Sequence, residues 1–303
     1  MTLQSLLPAA LVTTPYTAIQ LAFHTGEAYA PDGDSIRMKA QNPDLWPRGI
    51  KRSLKDGTVQ ARMEGIDAHE LHFYGYSQPP RWAEAERDHL LGLLHVPLAN
   101  PPSAGSPGWT LTRSADVYGR SISFLFPQEV LLKDGAKYMA GDATFLDILR
   151  QSANVQMLED GMAYPMFYEY LPDRLLRLLQ GAVTTAKTEK KGFWPEDQTL
   201  LGARFLNTDD VEGAVFYPKL ARRLFRYFDT LPSGARGMGL RGFREFLKKD
   251  PDLLHLASET TVRSLHDPDI LEIDEANHRL RLLVPPENLI FHERREENPL
   301  LPG

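Results

Sequence analysis

Cysteine is absent from the 303 residues. That excludes a disulfide framework, thiolate metal ligation and a cysteine nucleophile. Long apolar runs are missing too. No stretch approaches the ~18 residues a membrane span requires, so no membrane association is expected. A short apolar patch, Leu6 to Val12, has no Lys or Arg before it, the first being Arg37. A secretion signal wants a basic start, so the cytoplasm is the default expectation. The rest is ordinary: 42% hydrophobic and 24% charged residues describe a globular chain. The length suits about two domains.

Positive charge is scarce in most of the chain and concentrated in one segment. The formal net charge is −6, yet residues 213–249 hold nine Lys/Arg against two Asp/Glu. Within that segment Phe216, Leu220, Leu224 and Phe228 share one face of a predicted helix. Lys219, Arg222, Arg223 and Arg226 recur beside them, and Arg222, Arg223 and Arg226 are expected to reach solvent. Arg236, Arg241, Arg244, Lys248 and Lys249 extend the patch. The segment reads either as an aid to nucleic-acid binding or as a solvated face balancing an acidic remainder.

The run Arg62-Met63-Glu64-Gly65-Ile66-Asp67-Ala68-His69-Glu70 organises the first two-thirds. It starts with strand alternation and ends in a polar turn. Upstream, Asp32-Gly33-Asp34-Ser35 is a turn leading into a strand, Ser35 to Lys39. Downstream, Asp116-Val117-Tyr118-Gly119-Arg120 joins the runs Trp109 to Arg113 and Ser121 to Phe126 into a hairpin. A strand over Ile19 to Phe23 is expected. So are helices from Pro80 to Leu94, from a Ser152 cap to Gly161, and from Pro172 through Ala186. Residues 198–212 read as a polar linker. Helices are predicted over Phe216 to Phe228, Gly239 to Lys249 and Leu253 to Ser264. A hairpin joins Ile270–Ile273 to Arg279–Val284, a pattern compatible with a winged-helix module. Residues 1–16 read as an irregular lead-in and 292–303 as a disordered tail.

Together, Asp32-Gly33-Asp34, then Arg62, Asp67 and Glu70 at their spacing, then Tyr118-Gly119-Arg120, resemble the signature of the thermonuclease family, the staphylococcal-nuclease-like phosphodiesterases. The similarity continues through Asn154 to Gly161, Tyr168-Glu169-Tyr170-Leu171-Pro172 and Ala186 to Trp194, and covers residues 17–197. It implies an α+β fold, a five-stranded OB-fold Greek-key barrel with flanking helices. A mainly helical domain with a β-hairpin would follow at 213–291.

The resemblance implies a Ca²⁺-dependent nuclease with little sequence preference, cutting DNA, RNA or both to leave 3′-phosphate ends. Asp34, Asp67 and the Ala68 carbonyl offer hard oxygens for Ca²⁺ or another hard divalent cation. Glu70 would activate the water, and Arg62 and Arg120 would fork onto phosphate oxygens. Tyr118, Tyr168 and Tyr170 border the implied nucleotide site, either stacking on bases or packing at the barrel edge. Trp194 reads as a core anchor. His69 stands where the family has proline, so the turn loses rigidity. It reads as a solvated loop histidine, with a second base as the other reading. Val117 stands where the family often has a basic residue. A catalytically silent nucleic-acid-binding module on the same barrel is the alternative function.

Overall fold

A computed structural model describes residues 14–26, 30–232 and 238–293. The lead-in before residue 14, the tail beyond 293 and Arg236 lie outside these residues.

Five strands close a barrel. They are β1 (Tyr16–His24), β2 (Arg37–Ala40), β3 (Val59–Met63), β5 (Ser106–Ala115) and β6 (Ser121–Pro127), with β4 (Gly65–Asp67) directly following β3. The hydrogen-bonded order is β2-β3-β6-β5-β1, and β1 also pairs with β2. The β3–β6 junction is parallel and the other four are antiparallel. This is an OB-like closed barrel in a mixed α+β chain. Ala18, Leu21, Phe23, Met38, Val59, Ala61, Met63, Leu111 and Phe124 from these strands are buried in one core.

Helices seal the barrel. α1 (Pro80–Leu93) begins on a proline, which fits a first helical turn. A two-residue strand β7 (Lys137–Tyr138) and α2 (Ala143–Leu149) occupy the expanded stretch after β6. α3 (Ala153–Glu159) is capped as expected, the Ser152 hydroxyl accepting from the Val155 amide. In α3, Asn154 donates to the carbonyls of Glu64 and Ser123, both at 2.9 Å, and accepts from the Leu125 amide at 3.0 Å. One buried amide thus locks the corner where β3 ends. Next come β8 (Tyr164–Tyr168) and α4 (Asp173–Thr188), whose Leu175, Leu179, Val183 and Ala186 are buried.

Beyond residue 197 the sequence reading fits only in part. The stretch 198–212 is not a linker: it holds β9 (Ala203–Arg204), most of α5 (Thr208–Gly213) and the buried Phe205. α6 (Pro218–Thr230) and α7 (Phe243–Lys249) are helices as predicted. Leu253 to Ser264 is not a helix. It forms β10 (Leu253–Leu256) and β11 (Arg263–Ser264), because Leu254 is needed against a sheet instead of a helix face. The predicted hairpin is present as β12 (Leu271–Asp274) and β13 (Arg279–Leu282), joined at its edge by β9. β14 (Leu289–Phe291) follows. So this part mixes short strands with helices and is not mainly helical.

A second sheet unites the two parts, in the order β11-β10-β14-β8-β4. β4 enters it because the chain turns at Gly65, whose φ of +84° suits glycine. A Cβ there would lie 2.5 Å from the Leu179 side chain. A separate core forms around Phe205, Phe216, Tyr217, Leu220, Leu224, Phe225, Phe243 and Phe291. Inside the barrel, Glu64 accepts from the Tyr16 hydroxyl at 3.0 Å and pairs with Arg113 at 3.3 Å. Arg113 also donates to the Tyr170 carbonyl at 2.8 Å and lies over the Tyr16 ring.

Candidate functional site

The site is built where β3, β4 and the Asp32 turn meet at the barrel rim. The Asp34 carbonyl accepts from the Met63 amide at 3.0 Å, which fixes the turn against the strand carrying Arg62. Gly33 is required by close approach: a Cβ would lie 2.8 Å from the Ala68 Cβ and 2.9 Å from the Glu86 Cβ. Asp67 ends β4 and is buried, as is Ala68.

The turn does not go slack at His69. His69 is buried, and its amide donates to Glu86 at 2.7 Å while Nδ1 meets the other Glu86 oxygen at 2.6 Å. Its ring stands edge-on to Tyr164 and Phe193. A histidine–carboxylate anchor makes the turn rigid without a proline. Both earlier readings of His69, solvated loop residue and second base, are corrected by this burial. Glu70 follows with its amide donating to the Gln78 side chain and its carbonyl accepting from the Gln78 amide at 2.7 Å.

The dominant partner of the acids comes from α6. Arg222 forks onto Asp67, Nη1 to Oδ1 at 3.0 Å and Nη2 to Oδ2 at 2.8 Å, and the same Nη1 donates to Glu70 Oε1. This is a bidentate, charge-assisted clasp. Asp34 remains without it. Its carboxyl is pushed up to about 8, first by burial, then by the charges of Asp67, Asp32 and Glu70, with Arg222 opposing. Burial also raises Glu70, again against Arg222. Several carboxylates therefore share this rim, and one guanidinium offsets them in part.

The two predicted phosphate-binding arginines are each held by a neighbour of their own. Burial works against the charge of Arg62, but Tyr168, Tyr170 and Asp67 outweigh it and raise its pKa. It donates to the Tyr168 hydroxyl at 2.9 Å. Tyr168 stacks on Tyr170 at 5.7 Å. Arg120 is held by Asp116, Nε to Oδ2 at 2.6 Å, while the Asp116 Oδ1 accepts the Arg120 amide at 2.8 Å. Of the tyrosines, Tyr118 is exposed and lies near the Arg120 guanidinium. Tyr168 orients Arg62. Tyr170 is buried among Arg113, Tyr16 and Glu64, so its expected substrate contact is corrected to packing. Trp194 packs between the two cores, beneath Lys187, as an anchor.

The basic segment is largely spoken for. Arg223 is buried and pairs with Asp252 at 2.7 Å and Asp250 at 3.0 Å, and Lys219 pairs with Asp252 at 3.2 Å. Arg244 bonds the carbonyls of His266 and Leu271. Of the trio expected to reach solvent, Arg226 is exposed, with its guanidinium near the Phe73 ring, Arg222 is only partly so, and Arg223 is buried.

A hard divalent cation fits this arrangement poorly. The donor chemistry is right, oxygen throughout, but Arg222 engages both Asp67 oxygens and one of Glu70. Among the described residues, no three His, Asp or Glu side chains are disposed to hold a metal ion. Nor is any described helix long and apolar enough to cross a membrane. Arg222, Glu86 and Asp116 are the residues that sequence reasoning missed as parts of the site. Asp116, inside the motif leading to Tyr118-Gly119-Arg120, had a local signal; the other two had none. No protein-family model matches the chain, and no curated protein matches it either.

Proposed function

We propose that the chain hydrolyses phosphodiester bonds of nucleic acid at the barrel rim, in the manner of the thermonuclease family. The observation that carries the reading is the convergence of Asp34, Asp67, Glu70 and Arg62 on one rim of an OB-like barrel. In this reading Glu70 accepts the proton of the attacking water once Arg222 is withdrawn. Burial raises its proton affinity above that of an ordinary glutamate, the direction a general base needs. Arg62, preorganised by Tyr168, donates to the charge that develops on phosphorus-bound oxygens. Arg120 has Nε fixed on Asp116 and offers its terminal nitrogens to the same phosphate. Tyr118, exposed beside it, is the surface on which a base would stack.

A silent nucleic-acid-binding module is the second reading, favoured by the Arg222 clasp on Asp67 and Glu70. The two separate in one assay: plasmid, single-stranded DNA and RNA incubated with wild type and with Glu70→Gln, in Ca²⁺ and in chelator. Cleavage by wild type that Glu70→Gln loses supports the hydrolase. Retarded but intact nucleic acid with both proteins supports the module.

A further inference from the structure

We infer that the insert between β2 and β3, together with Tyr118 and Arg120, is a docking track for single-stranded nucleic acid. The inference rests on the proposed function only for the class of partner; it needs neither a cation nor cleavage. Residues 48–55 hold four Lys/Arg and no Asp/Glu. Arg48, Lys51, Arg52 and Lys55 are all exposed, and among the described residues none of the four pairs with a carboxylate. The segment 213–249 differs, since Lys219, Arg222 and Arg223 there sit in internal ion pairs. Like charges gathered on eight residues repel one another. Balancing an acidic surface would place them beside acids instead.

The insert is mounted on the barrel. The Lys51 amide donates to the Gly119 carbonyl at 2.8 Å and the Ser53 amide to the Thr58 carbonyl at 2.8 Å, while Trp46 and Ile50 pack against the barrel core. The Lys51 stem lies on Gly119, where a Cβ would stand 2.4 Å from the Lys51 Cγ. The charges are thereby joined to the turn that bears Tyr118 and Arg120. Tyr118 is 67% exposed, its ring centroid 5.6 Å from the Arg120 guanidinium carbon. So open a ring adds little to the fold. Cations beside an open aromatic ring match backbone phosphates flanked by an unpaired base, whose faces are free to stack. A duplex hides those faces, and a phospholipid surface has none. The track also has a direction. Arg120 precedes Ser121, which aligns with Ala61, and Arg62 aligns with Ile122. A strand laid along the insert is therefore led across Gly119 towards Arg62.

The test reads binding by fluorescence anisotropy of a labelled oligothymidylate, in chelator, with full-length proteins. Wild type is compared with a quadruple variant, Arg48→Gln, Lys51→Gln, Arg52→Gln and Lys55→Gln, and with Tyr118→Ser. A charge-matched control carries Arg150→Gln, Lys190→Gln, Arg204→Gln and Lys249→Gln, all exposed outside the insert. Glutamine keeps much of the stem that rests on Gly119. The quadruple variant should bind at least about ten-fold more weakly, with a log–log salt slope shallower by about 2–3, at ~0.7 per phosphate contact on a single strand. Tyr118→Ser should also bind about ten-fold more weakly but keep the slope, as loss of one stacked base requires. The control should match wild type. Equal affinity in wild type and the quadruple variant overturns the inference, as does an equal loss in the control, or no binding by wild type. So does stronger competition by duplex DNA, phosphatidylserine vesicles or polyglutamate than by unlabelled single strand. Cleavage assays without chelator judge the hydrolase reading separately. Binding through the insert without cleavage sinks that reading and leaves the track standing; binding and cleavage that the four substitutions leave untouched do the reverse.

Discussion

Two guanidiniums meet buried acids in this molecule, and they do so differently. Arg113 meets Glu64 inside the barrel, with both side chains shut off from water. Tyr16 and the Tyr170 carbonyl complete that cluster, and burial raises Glu64 while Arg113 and Tyr16 lower it. Arg222 meets Asp67 and Glu70 at the rim, partly wet, with Asp34 and Asp32 left over. Burial and pairing are common to both, so neither marks a functional site. Surplus charge and access to solvent separate them. The inner cluster is closed, one acid to one base. The outer one is unbalanced and open, which is the condition for binding something else.

The largest effect should come from opening the inner pair. Arg113→Met leaves Glu64 buried without its cation, a loss of about 3–5 kcal/mol. Urea unfolding followed by circular dichroism should show it, and a loss under about 1 kcal/mol would erase the distinction between the clusters. Glu70→Gln should instead spare the fold and cost roughly 10²–10⁴-fold in cleavage rate. Unchanged turnover would move water activation elsewhere. Removing the outer guanidinium with Arg222→Met should cost less, about 2–3 kcal/mol, since Glu70 keeps some access to water while Asp67 stays buried.

The unbalanced rim also sets a pH dependence. The folded Asp34 carboxyl is raised to about 8 from an ordinary 3.8, chiefly by burial and then by Asp67. The folded state therefore holds a proton that the unfolded chain has lost across that window. Stability from this group is present at low pH and falls as pH rises towards 8. Urea midpoints at pH 5 and pH 8 should diverge in wild type and converge in Asp34→Asn; parallel behaviour would count against the crowding of carboxylates. The smallest effect belongs to the exposed Glu272–Arg281 pair, where Arg281→Ala should shift stability by no more than about 0.5 kcal/mol.

What the sequence revealed follows the range of the forces involved. The strand alternation that opens the run at Arg62, the Ser152 cap and the β12–β13 hairpin are local, and all were legible. β8 was not, because Tyr-Pro-Met-Phe-Tyr lacks alternation and contains a proline. Leu253, Leu254 and Leu256 mimic a helix face, and only their sheet neighbours decide otherwise. Asp34, Arg62, Asp67 and Glu70 were singled out through the resemblance of their spacing to a family motif. Arg222 looked like a surface cation, since its partners lie 155 and 152 residues away. His69 looked solvated because Glu86, on another element, buries it. Periodicity reports which face a residue takes; it does not report which distant charge waits there.

The parallel pairing of β14 with β8 imposes an order of events during synthesis. Ile290 aligns with Phe167 and Phe291 with Tyr168. The strands of the barrel leave the ribosome long before residues 289–291, and domains generally fold as they emerge. Until then β8 has β4 on one side and an open edge on the other, the kind of edge that recruits other chains. Leu289 and Phe291 also belong to the core that seats Leu220 and Leu224 of α6. The nascent barrel therefore passes through an interval in which its carboxylates are assembled and the arginine that clasps them is not yet docked.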